Sequence, residues 1–300
     1  MLCDVLQQAK VPAGVVNMVF GTGPRAGQAL VSHPEVPLIS FTGGTVTGER
    51  IIRDSAPFCK KLSLELGGKN PGIVFDDADL ATCVSTLVRA GFSNQGEICL
   101  CASRLFVQEG IYDEFVKRYV EEVKKIKIGD PREEGTQMGP LVSREHLAKV
   151  MLYVTLSEDL GGKIKCGGKQ PQLAGPLAKG YYLEPTVVTD LPHDATPCVD
   201  EIFGPVVTIT KFKTEEEVVE WANEVKYGLA ATIWTENVSR MHRVAHRVVA
   251  GTVWCNCWMI RDLRMPFGGS KASGVGREGM TNSAEFFTEE KTICLKVAGF

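Results

Sequence analysis

At 300 residues, 44% apolar and 23% charged, the chain has the make-up of an ordinary globular protein and more length than one compact core usually needs, so two lobes are expected. A formal net charge of −3 gives no electrostatic reason to expect nucleic acid or an anionic membrane as partner, and no apolar run reaches transmembrane length. Met1–Lys10 lacks the basic start and apolar core of a signal peptide, and the ten cysteines are scattered, which reads as reduced thiols in a cytoplasmic protein.

In chain order, Leu2–Ala9 reads as a helix stopped by the Val11–Gly14 turn, and Val15–Phe20 as a short β-rich run. Gly21-Thr22-Gly23 then opens a helix through Val31. Leu38–Phe41 is a strand, followed by Thr42-Gly43-Gly44-Thr45 and a helix to about Asp54. In Lys60–Glu65 the alternation of Leu62, Leu64 and Leu66 predicts a strand with one buried face. Strands alternating with helices imply a doubly wound parallel α/β sheet. The glycine turns at Gly21 and at Gly43–Gly44 have the form in which backbone N–H groups face a phosphate, although plain βα turns look the same.

A second α/β unit starts at Asn70. Pro71–Phe75 reads as a strand, and Asp76–Asp79 caps a helix to about Ala90. Arg104–Val107 is a strand and Tyr112–Ile126 an amphipathic helix. Another helix starts at Ser143, and Gly167–Gly180 is a surface loop. Helices over Thr214–Val225 and Val238–Val249 alternate with strands at Ala230–Thr235 and Gly251–Asn256, and Thr292–Val297 is an apolar edge-strand candidate. His242 and His246 are four apart on one helix but sit among arginines with no third ligand nearby, so no metal site is expected.

Three motifs carry chemistry. Leu64-Glu65-Leu66-Gly67-Gly68 places a lone carboxylate at the end of an apolar strand, where burial is costly unless the group is used or paired. Gln95-Gly96-Glu97-Ile98-Cys99 presents a cysteine on a loop, and Glu201-Ile202-Phe203-Gly204 brings an acid and an aromatic ring to another turn. Each residue has a plainer reading when taken alone: Glu65 as a salt-bridged strand end, Glu201 as a cap, Cys99 as a small buried hydrophobe. Together with Phe41–Thr45, Pro266–Gly269 and Ser273–Glu278, these motifs resemble the NAD(P)-dependent aldehyde dehydrogenase superfamily, from the first helix to the last strand, and within it the semialdehyde-oxidising group.

The resemblance implies a partial Rossmann-like dinucleotide-binding domain (1–66), an α/β catalytic domain of the aldehyde dehydrogenase fold (67–270), and a C-terminal helix and oligomerisation strand (271–300). It implies NAD as cofactor and a small aldehyde as substrate, a carboxylated semialdehyde such as 2-aminomuconate semialdehyde, or retinal. Cys99 matches the nucleophile that forms a thiohemiacetal and then a thioester, and Glu65 the base that activates water to release a free acid. Gly21, Gly43, Gly44, Leu66, Gly67, Glu201 and Phe203 match the cofactor side, with Glu201 on the nicotinamide ribose. Many relatives carry serine where this chain has Gly44. Phe267 matches a wall of the aldehyde tunnel. Arg261, just before it, is a candidate clamp for a substrate carboxylate, or else an ion-pair partner of Asp262.

The resemblance also places Met1 inside a cofactor-domain helix. The first strands of that domain, an adenine-ribose lysine and acid, and a Pro-Trp-Asn segment with an oxyanion donor are expected upstream, so the chain reads as N-terminally truncated. Two outcomes follow: a working NAD-dependent enzyme that forms a homo-oligomer through its last strand, or an inactive chain that only assembles with full-length subunits.

Overall fold

The computed structural model describes residues 1–298. Its first third forms α1 (Leu2–Gln8), a π-helical turn (Gly23–Gly27) continuing into α2 (Gln28–Val31), β1 (Leu38–Thr42), α3 (Thr45–Ser55) and β2 (Lys61–Glu65). The rest follows as β3 (Pro71–Val74), α4 (Leu80–Phe92), β4 (Arg104–Gln108), α5 (Tyr112–Val123), α6 (Arg144–Asp159), β5 (Lys163–Cys166), β6 (Thr186–Thr189), α7 (Thr196–Val199), β7 (Val206–Phe212), α8 (Glu215–Asn223), β8 (Tyr227–Gly228), β9 (Ala230–Trp234), α9 (Val238–Arg247), β10 (Thr252–Cys255), β11 (Ser270–Lys271), β12 (Gly274–Val275) and α10 (Met280–Phe287). Local chemistry starts the helices. Asp79, Ser143, Thr214 and Asn237 each accept a backbone N–H from the first turn of α4, α6, α8 and α9, satisfying donors the helix itself leaves unpaired.

The larger sheet has the order β10-β9-β3-β4-β7-β6-β5, parallel except for the terminal β5. Its alternating side chains divide two cores, as the period of a strand dictates. Leu105 and Val107 face α4 and α5 beside Leu87, Phe115 and Tyr119. Phe106 faces the other way, toward Val218 of α8 and Val244 of α9. Helices on both faces explain why β3 and β9 are buried along their whole length.

The smaller sheet is β1-β2-β12: β1 and β2 run parallel, and β12 returns from the far end of the sequence to pair antiparallel with β2, Gly274 opposite Glu65. Local patterning could not anticipate this strand of two residues. Two expected strands are corrected. Val15–Phe20 has no strand, and Val15, Val19 and Phe20 are exposed. Thr292–Val297 is likewise unpaired, with Ile293, Leu295 and Val297 in solvent. A β-rich run becomes a strand only when a neighbour accepts its backbone hydrogen bonds, and neither run has one among the described residues. Among the described residues no helix is long and apolar enough to cross a membrane.

Candidate active site

The loop that carries Cys99 leaves α4 through three consecutive left-handed residues, Asn94 (φ 49°), Gln95 (φ 57°) and Gly96 (φ 75°). For the two non-glycine residues this conformation costs about 1–2 kcal/mol each, so something must hold it. Asn94 Nδ2 donates to the Glu97 carbonyl at 3.0 Å, Gln95 Oε1 accepts the Gly139 amide at 3.2 Å, and Glu97 Oε1 accepts the Val142 amide at 3.2 Å. Gly96 has no room for a side chain, because a Cβ there would lie 2.3 Å from the Gly204 carbonyl oxygen. On the far side, Asn70 Nδ2 donates to the carbonyls of Cys99 (2.7 Å) and Cys101 (2.9 Å), while its Oδ1 accepts the Ala230 amide at 3.0 Å. Trp258 Nε1 donates to the Leu100 carbonyl at 3.0 Å. Cys99 is thus half-buried on a backbone fixed from four segments.

Glu65 ends β2, where its carbonyl accepts the Gly43 amide at 3.0 Å. Its side chain is buried, and neither carboxylate oxygen has a hydrogen-bond partner among the described residues. Burial first, then the nearby Glu278 carboxylate, push its pKa up to about 7, against the opposing pull of Arg277 and Arg261. The Cys99 thiol is also pushed up, mainly by burial, then by Glu65 and Glu201, with Arg261 pulling it down. Glu65, Glu201, Cys99 and Arg261 therefore share one electrostatic neighbourhood. The adjacent Cys101 is buried, with a thiol pushed up to about 12, and packs as an inert core residue.

Glu201 Oε1 accepts the Gly68 amide at 2.9 Å, and a Cβ on Gly67 would lie 2.2 Å from Oε2, so Gly67 must be glycine for the carboxylate to sit there. Burial raises the Glu201 pKa, while the Gly68 amide and Lys149, Lys69 and Lys226 act in the opposite sense. Phe203 (φ 58°) stands 38% exposed beside it, an aromatic surface held toward solvent. Leu66 is buried against Gly48 of α3. Lys69 was not singled out by its motif. It is fully buried, donates to the Pro197 carbonyl at 2.8 Å, and has a pKa pushed down to about 8, chiefly by burial. It lies in the turn between β2 and β3, where a lysine between Gly68 and Asn70 gives no local signal of burial.

The Arg261 guanidinium lies over the Phe267 ring, 4.4 Å from its centroid. The alternative partner, Asp262, is instead held by Arg264 at 2.6 Å, and among the described residues Arg261 makes no ion pair. Gly44 caps α3 without a side-chain hydrogen bond, and a Cβ there would meet open space. Gly21 is exposed, with Ala26 as its nearest neighbour, and no contact joins it to the Cys99 cluster. Beyond the Gly43–Gly44 turn a cavity of about 450 Å³ lies between the Gly23–Val31 segment and α3, lined by residues that include Pro24, Gly27, Phe41, Thr47 and Ile51. Sequence reading missed it because its walls come from three separate segments.

The site thus combines a loop cysteine, a buried carboxylate without a hydrogen-bond partner among the described residues, and a cavity beside a βα turn. Residues 1–293 match the aldehyde dehydrogenase family, and the chain belongs to that family. It is 56% identical over 298 residues to a 2-aminomuconic semialdehyde dehydrogenase of Mus musculus, covering 99% of this chain and 61% of that protein. It is 49% identical to a 2-hydroxymuconic semialdehyde dehydrogenase of Pseudomonas sp. (strain CF600), with the same coverage. A betaine aldehyde dehydrogenase of Staphylococcus aureus, solved in complex with NAD+, superimposes with a TM-score of 0.92 at 38% identity, over 95% of this chain and 56% of that one. The chain spans about 61% of the length of the curated relatives it matches.

Proposed function

We propose that the chain carries the catalytic centre of an NAD-dependent dehydrogenase that oxidises a carboxylated semialdehyde, of the 2-aminomuconate type, to its acid. The observation that carries this reading is the pairing of a half-buried Cys99 with a buried, unpartnered Glu65 whose pKa of about 7 suits a general base at neutral pH. The residues present fit the cofactor. The N-terminus of α3, capped by no side chain at Gly44, would turn the N–H groups that follow Gly43 toward a pyrophosphate, the Gly43 amide itself being held by the Glu65 carbonyl, and the cavity beside it has room for an adenine ring. Glu201 and Phe203 would hold the nicotinamide ribose, with Leu66 and Gly67 beneath the ring. Gly21 marks the turn into this lobe but touches none of these groups.

When bound, NAD supplies the hydride acceptor. The chain does the rest. Cys99 gives its proton to solvent and its thiolate adds to the aldehyde carbon; the resulting thiohemiacetal oxyanion loses the hydride of that carbon to the acceptor and becomes a thioester. Glu65 then takes a proton from water, which attacks the thioester carbon and releases the acid and the thiolate. Its missing hydrogen bonds leave both oxygens free to turn toward that water. Arg261, braced on Phe267 and not committed to Asp262, binds the distal carboxylate of the substrate, which favours an acidic semialdehyde over retinal. We assign residues 1–66 to the cofactor lobe, 67–270 to the catalytic lobe and 271–300 to a docking segment. The test is NADH production by the purified chain with 2-aminomuconate semialdehyde, together with mass detection of a Cys99 adduct. No adduct at Cys99 overturns the assignment.

A second reading is favoured by one observation. Phe20, Ile293 and Leu295 are each more than 80% exposed, and the outer edge of β1 pairs with no strand among the described residues. A chain without turnover that joins full-length subunits through these surfaces would co-purify with them and form the Cys99 adduct without releasing acid.

A further inference from the structure

The start of α6 faces both loops of the candidate site. His146 Nε2 lies 2.6 Å from the Phe203 carbonyl oxygen and 3.4 Å from Glu97 Oε1. A carbonyl only accepts, so Nε2 carries the proton that bridges them. One turn later, Lys149 Nζ donates to the Glu201 carbonyl at 3.3 Å. The His146 ring also meets the Phe203 ring edge-on, with centroids 6.1 Å apart.

Both targets lie at strained backbone. Phe203 is left-handed, and Glu97 closes the left-handed run Asn94–Gly96. The two loops touch where Gly96 abuts the Gly204 carbonyl. Such conformations persist only when their surroundings over-determine them, and the His146 side chain, 15% exposed against a Glu97 side chain 10% exposed, hydrogen-bonds to one loop and faces the carboxylate of the other.

We propose that His146 is a positioning residue that locks the Cys99 loop to the Glu201–Phe203 loop, so that seating of the cofactor ribose and presentation of the thiol move together. The proposal rests on the reading of Cys99 and Glu201 given above. Its physical content is one donor that ties the two loops to each other, beside the bonds that hold each loop separately, whereas a packing role would be filled equally well by an aliphatic side chain.

The test is hydrogen exchange by mass spectrometry on the 300-residue chain and on the variants His146→Leu, His146→Gln and Glu97→Gln, with peptide-resolved alkylation by iodoacetamide. His146→Leu should speed exchange at 94–98 and at 201–206 together by at least about threefold. It should speed Cys99 alkylation by a similar factor and leave buried Cys83 and Cys198 unchanged. His146→Gln, which keeps a donor for the Phe203 carbonyl, should return both loops toward wild type. Glu97→Gln should loosen 94–98 alone. The proposal is overturned if His146→Leu behaves as wild type, loosens one loop only, or loosens β3 and β4 as well, and equally if glutamine rescues nothing. A wild-type Cys99 that forms no aldehyde adduct would instead overturn the functional reading, with the exchange pattern standing.

Discussion

Glu65 and Cys99 work against each other at the residue scale. In the proposed role the carboxylate must be ionised to take a proton from water, yet its charge raises the pKa of the Cys99 thiol. Thioester hydrolysis should therefore fall as pH drops through about 7. Glu65→Gln should lower release of acid by about 10²–10⁴-fold, the usual worth of a general base. The same variant should make Cys99 alkylate faster than wild type at pH 8. Rapid-quench mass spectrometry would show a persistent thioester on Cys99 in the variant, and prompt hydrolysis there would exclude Glu65 as the base. Arg261 offers a second test. A hydrogen-bonded charge pair is worth about 1.5–3 kcal/mol, so Arg261→Ala should raise KM for the carboxylated aldehyde about 10–100-fold and leave a neutral aldehyde nearly unaffected. Equal losses on both substrates would assign Arg261 to packing over Phe267.

At the scale of elements, the site is assembled from strand ends and turns that the sheets bring together. β2 delivers Glu65, the turn after it delivers Gly67 to Asn70, and the loops after α4 and α7 deliver Cys99 and Glu201. β12 closes the smaller sheet beside Glu65, and residues 288–298 form no helix or strand, with Ile293, Leu295 and Val297 in solvent. Lys61 anchors the start of that segment, donating to the Thr288 carbonyl at 2.8 Å and pairing with Glu289 at 2.7 Å. Exposed pairs of this kind contribute about 0–1 kcal/mol. A chain ending at Glu289 keeps this pair and loses, among the described residues, only exposed ones, so it should melt within a few degrees of the full chain; on the proposed docking role it should also lose self-association in light scattering. Unchanged self-association would move the docking surface to the β1 edge and the exposed run at Val15–Phe20.

For the whole molecule, the buried carboxylate gives stability a sign with pH. The folded-state pKa of Glu65 is raised from 4.5 to about 7, so the folded state binds this proton more tightly than the unfolded state. Its contribution favours folding below about pH 4.5 and is lost progressively until pH passes about 7. Glu65→Gln removes that dependence. Above pH 7 the variant should be more stable than wild type by about 1–3 kcal/mol, measured by urea denaturation at pH 5 and pH 8. A variant less stable than wild type at pH 8 would mean that the carboxylate is satisfied in solution by partners outside the described residues. Gain in stability with loss of activity is the pattern expected where a buried charge is kept for chemistry.

The sequence by itself determined most elements, because caps such as Asp79 and Ser143 and the alternation in β2 are local signals that burial reinforces. It also singled out Cys99, Glu65 and Glu201, although taken alone each had a plainer reading and only their order among the other motifs, through the family resemblance, set them apart. Tertiary structure alone decided the rest. Val15–Phe20 and Thr292–Val297 have strand composition but no hydrogen-bonding neighbour, while β12, with almost no composition signal, has one. Arg261 could equally have paired with Asp262 on sequence grounds, and only the placement of Arg264 and the Phe267 ring separated the two. Asn70, Lys69 and His146 act through carbonyls and carboxylates far away in the chain, and a local pattern carries no information about which distant backbone will stand within 3 Å of a side chain.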